Sequence, residues 1–113
     1  MALKCIYELM TSIRESMVLC GETLDRKSEE TYDELRATLK RFINENVQSN
    51  AQKITPDYDQ IQSQRGREAV AKGFCRQPEY PLFKEWLQEF LRKEATIRKR
   101  LETPGDPTKG DCL

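Results

Sequence analysis

The sequence contains no histidine. Histidine is the one side chain whose unperturbed titration falls between about pH 5 and 8. Ser-His-Asp and Cys-His nucleophilic mechanisms are therefore excluded, as is every histidine-ligated metal site. Net charge is absent too: 19 Lys and Arg balance 19 Asp and Glu, so no overall field draws the chain to nucleic acid or to an anionic membrane. No stretch approaches the roughly 18 uncharged apolar residues that a membrane-crossing helix needs. The N-terminal Met-Ala-Leu-Lys-Cys-Ile-Tyr-Glu carries charge inside its apolar run and does not read as a signal peptide. No run alternates apolar and polar residues with β-branched enrichment, so no strand is expected. Isolated Gly66 and Gly73 make no phosphate loop.

Cysteine is sparse and scattered. Cys5, Cys20, Cys75 and Cys112 form no C-x-x-C pair and do not resemble a zinc module. Cys5 and Cys20 fall on one expected helix, about 22 Å apart, too far to pair within a chain. The spacing predicts free thiols and a reducing, cytoplasmic compartment, without excluding the nucleus. Cys112 is second from last and does not fit prenylation.

What is present is helical period. At 113 residues, 34% charged and 37% apolar, the chain suits one all-α domain with a small core and a densely charged surface. We expect a four-helix bundle-like domain over residues 1–102, with helices near 2–20, 24–47, 56–72 and 81–102 and a disordered tail over 103–113. The last helix holds the only tryptophan and the clearest period. Phe83, Leu87, Phe90, Ile97 and Leu101 recur at steps of three, four and seven, with Trp86, Leu82 and Leu91 widening the stripe. This stretch reads as the one the rest is organised around, with Trp86 as a core anchor.

In the first helix Leu3, Ile6, Met10, Ile13 and Met17 alternate spacings of three and four, continued by Cys20. That is a heptad seam, and Leu9 and Val18 lie off it as a second stripe. One small chain with two stripes to cover suggests a homodimer that pairs through those five seam residues. Gly21 reads as the C-cap. Thr23 or Ser28 is the expected cap of the second helix, whose buried face is Tyr32, Leu35, Leu39, Phe42 and Ile43. Thr55-Pro56-Asp57-Tyr58-Asp59 is a strong helix start. The helix that follows is the loose one, with sparse apolar residues and Gly66 in its middle at about 1 kcal/mol relative to alanine.

Two basic clusters stand out: Arg65, Arg67, Lys72 and Arg76 around the third helix, and Arg92, Lys93, Arg98, Lys99 and Arg100 at the end of the fourth. The second cluster suits a helix C-terminus, and Glu89–Lys93 and Glu94–Arg98 are favourable i,i+4 pairs. Both clusters could instead neutralise phosphates. Glu29/Glu30 and Asp57/Asp59 read as helix-start charges. Cys75 beside Arg76 is the single candidate nucleophile and lacks a base. The ending Asp111-Cys112-Leu113 resembles carboxylates that are captured by strand addition. No catalytic residue, cofactor or metal is expected. The expected function is non-catalytic binding of another protein, as an adaptor, regulator or assembly factor, self-associating through the seam. The alternative is a small nucleic-acid-binding regulator using the two basic clusters.

Overall fold

The computed structural model describes residues 1–112 and is all-helical: α1 (Leu3–Leu19), α2 (Arg26–Asn46), α3 (Pro56–Ala71), α4 (Glu79–Arg92) and α5 (Glu94–Arg100), with short 3-10 turns at Asn50–Gln52 and Phe74–Arg76. The centre is α1 rather than the tryptophan-bearing stretch, for α2, α3 and α4 all pack against it. Its sequence explains why. Leu3, Ile6, Met10, Ile13 and Met17 line one face, and Tyr7 and Cys5 extend burial around it. Facing them are Tyr32, Leu35, Leu39, Phe42 and Ile43 of α2, Tyr80 and Leu87 of α4 and Ile97 of α5.

The five residues expected on a dimer seam are at most 6% exposed within the single chain. The period was read correctly as a buried stripe, but its cover comes from the chain's own helices. Those side chains are not available to a second copy, and the seam reading is corrected accordingly.

The helix ends follow local chemistry. At the C-terminus of α1, Gly21 has φ 80°, with the Glu22 N–H donating to Met17 O at 2.8 Å and the Gly21 N–H to Val18 O at 3.0 Å. This is the double bond pattern of a left-handed glycine cap. The cap of α2 is Asp25, whose Oδ1 accepts from the Ser28 N–H at 2.9 Å, rather than Thr23 or Ser28. Thr55 caps α3 as expected, accepting from the Tyr58 N–H at 3.1 Å. Between α2 and α3, the Asn44 amide clamps the backbone of buried Ile54 in both directions, at 2.7 and 3.0 Å.

The third helix runs unbroken through Gly66, the one α3 residue that is fully buried. A Cβ there would meet only the Glu15 side chain of α1, at 3.4 Å, an ordinary contact. The single helix expected over 81–102 instead turns at Lys93, whose φ and ψ are −92° and 18°. No glycine or proline causes this bend. Its effect is to lay α5 against α2 and bury Ile97.

Residues 103–112 are placed against the N-terminus of α1, not detached from it. The Ala2 N–H donates to Asp111 O at 3.1 Å and the Lys4 N–H to Pro107 O at 2.9 Å. These carbonyls take up α1 donors that Ala2, lacking a capping side chain, cannot satisfy. Pro107 is fully buried.

Two disulfides correct the reading of the cysteines. Cys5 is bonded to Cys112 and Cys20 to Cys75, with Cα–Cα separations of 5.5 and 5.7 Å. Cys5 and Cys20 indeed do not reach each other. Each finds a partner far along the chain, which spacing on one helix cannot foresee.

Candidate binding surface

The polar side chains bind helices together. Asp59 of α3 accepts from Tyr7 Oη of α1 at 2.8 Å and from Lys40 Nζ of α2 at 2.8 Å, with Arg36 at 3.5 Å. It lies in the first turn of α3, as the sequence implies, and is also a three-helix tie. Arg14 holds Glu29 through Nη2, which donates to the two carboxylate oxygens at 2.8 and 2.7 Å, and through Nε, which donates to Oε1 at 3.2 Å. Tyr58 donates to Glu8, and Tyr80 donates to Glu22, whose second oxygen receives Lys84 Nζ at 2.9 Å.

These contacts fix protonation. Burial, and then the bond to Asp59, raises the Tyr7 phenol well above its ordinary value. Burial followed by the bonded carboxylates raises Tyr58 and Tyr80 as well. Burial, with smaller help from the charges of Asp33 and Glu29 and against those of Arg36 and Arg14, pushes Tyr32 up to about 12. All four phenols are therefore protonated at neutral pH, and Tyr7, Tyr58 and Tyr80 act as donors. The Glu22 carboxyl is lowered, first by the Tyr80 hydrogen bond and then by Lys84. Cys75, the candidate nucleophile, is spent in a disulfide and offers no thiolate.

Trp86 is only half-buried. Phe83 meets it edge to face at 5.1 Å between ring centroids, and its remaining surface lines an open groove of ≈ 920 Å³. Met17, Pro81 and Trp86 form the apolar floor of that groove, and Glu22, Lys84, Glu85, Glu89 and Arg92 its rim. Leu82, next to Pro81 and expected in the core, is 49% exposed. The Glu22–Tyr80–Lys84 cluster fastens the connection after α1 to α4 and so holds the two walls together.

The basic clusters fare differently. Arg65, Arg67, Lys72 and Arg76 are all exposed, and Arg67 donates to Gln64 at 3.2 Å. In the second cluster Arg92 and Lys93 pair with Glu89 at 2.7 and 3.3 Å. Arg98 lies 3.5 Å from Glu94 and 3.8 Å from Glu34. Only Lys99 and Arg100 of that cluster have no acidic partner within 4 Å among the described residues. The C-terminal carboxylate belongs to Leu113, outside the described residues, and Cys112 before it is disulfide-bonded. Among the described residues no helix is long and apolar enough to cross a membrane.

No family model, curated protein or solved structure matches this chain.

Proposed function

We propose that this chain is a non-catalytic helical binding module whose partner is another protein, docked in the groove around Trp86. The observation that carries the reading is the partly buried Trp86 on an apolar floor inside a charged rim. A rigid aromatic ringed by polar groups is the usual anatomy of an interface anchor. Self-association through Leu3, Ile6, Met10, Ile13 and Met17 is not part of the proposal, since those side chains are core. The two disulfides favour an oxidising compartment over the cytoplasm expected from cysteine spacing.

The test is affinity capture from the native source, with the oxidised chain and three variants as bait. A specific partner should be retained by Arg67→Ala and lost by Trp86→Ala and by Pro81→Glu, both positions lining the groove, each variant still folded by circular dichroism. Equal capture by all four baits would contradict the assignment. Nucleic acid remains the second reading because Arg65, Lys72 and Arg76 make no ion pair within 4 Å among the described residues. It predicts a mobility shift that weakens steeply with salt. No shift with DNA or RNA at low salt disposes of it.

A further inference from the structure

A second hollow, of ≈ 390 Å³, lies where α5, α2 and the C-terminal segment meet, and it shares no lining residue with the Trp86 groove. Leu3 and Phe42 contribute its apolar floor, and Lys99, Arg100 and Lys109 its cations. None of the three cations has an acidic partner within 4 Å among the described residues. The one lining acid is Asp106, already occupied by the Thr108 N–H at 2.9 Å and the Thr108 hydroxyl at 2.6 Å. Three positive charges against one negative leave two uncompensated.

The wall bearing Lys109 is a fixed part of the molecule. Buried Pro107, the two backbone bonds to Lys4 and Ala2, and the Cys5–Cys112 disulfide hold it. Gly110, at φ 123°, lets the segment lie flat on Ala2: a side chain there would come within 3.0 Å of the Ala2 nitrogen. Without this segment the hollow would lose Lys109 and one side.

We propose that this hollow binds a phosphate monoester carrying a small apolar group, and that the clasped C-terminal segment completes the site. A monoester carries about −1.5 to −2 charges at neutral pH, matching the two uncompensated cations. Arginine supplies a bidentate fork for phosphate oxygens and the lysines supply point charges. The attached carbon chain then lies against the small edges that Leu3 and Phe42 leave open at the hollow, 6% and 9% of those residues. The ester's source is either a soluble metabolite or a lipid headgroup.

The test is titration of the oxidised full chain at low salt with octyl phosphate below its micelle concentration, inorganic phosphate, and vesicles of phosphatidylcholine with or without phosphatidic acid. Shifts of backbone amide resonances supply the readout. Octyl phosphate should bind about tenfold tighter than inorganic phosphate, the increment of a few buried methylenes. Phosphatidic-acid vesicles that bind in its place identify the headgroup source. The pair Lys99→Ala and Arg100→Ala should weaken binding more than tenfold. Lys109→Ala should weaken it several-fold, and Cys5→Ser with Cys112→Ser should match Lys109→Ala while keeping the helical spectrum. Absence of binding to every monoester at about 1 mM would overturn the proposal. So would wild-type affinity in the Lys99/Arg100 pair or in Lys109→Ala, the latter variant keeping the disulfide intact.

Discussion

Trp86 belongs to two surroundings at once. It packs against the core, as its place on the core stripe implies, and its remaining surface lines the groove. A buried tryptophan truncated to alanine costs about 3–5 kcal/mol. With the side chain only partly buried, we expect Trp86→Ala to cost less, about 1.5–3 kcal/mol by urea unfolding, together with loss of partner capture. A cost at the full core value would return Trp86 to the core. Glu22 gives a pH signature. Its folded-state pKa lies below the ordinary 4.5, so the unfolded chain binds more protons through this window and stability rises with pH. The contribution is complete above about pH 4.5 and is lost as pH falls through the lowered folded value. Glu22→Gln should flatten the acid limb of the stability–pH curve, measured by thermal melts between about pH 2.5 and 6. An unchanged limb would mean that the Tyr80–Glu22–Lys84 cluster adds nothing.

At the scale of elements, α2, α3 and the end of α1 were legible because their signals are local. Apolar spacing, the Thr55-Pro56 start and the Gly21 stop need no knowledge of the rest of the chain. The bend at Lys93 was not legible: no local breaker marks it, and only the packing of α5 on α2 gives it a purpose. Gly66 was legible as a cost but not as a contact. Its built side chain would meet only the flexible Glu15 side chain, at 3.4 Å, so alanine should fit. Gly66→Ala should raise stability by up to about 1 kcal/mol through helix propensity, while Gly66→Leu should push α3 off α1 and lower it. Loss of stability with alanine would mean that the helices are closer than described.

For the whole molecule, the sequence could not show which elements cover which stripe, nor where the scattered cysteines meet. A heptad seam has the same period whether its cover is a second copy or the chain's own α2 and α4. Met10 is fully buried in one chain, so Met10→Glu should abolish the cooperative thermal transition, because a lone charge in a core is costly. A folded monomer from a parent dimer would revive the seam. The candidate surfaces are partly legible: the cation clusters stand out in the sequence, but the groove around Trp86 and the tail-walled hollow exist only through long-range closure.

That closure depends on α1 being pinned at both ends, by Cys112 at its start and Cys75 at its finish, across sequence separations of 107 and 55 residues. Each such link is worth about 2–4 kcal/mol, mostly by restricting the unfolded chain, so the reduced protein should melt at a clearly lower temperature. The most direct measurement is peptide mapping of the unreduced protein by mass spectrometry after thiol blocking. The account predicts Cys5 linked to Cys112, Cys20 linked to Cys75 and no blocked thiol. Four blocked thiols, or any other pairing, would contradict it.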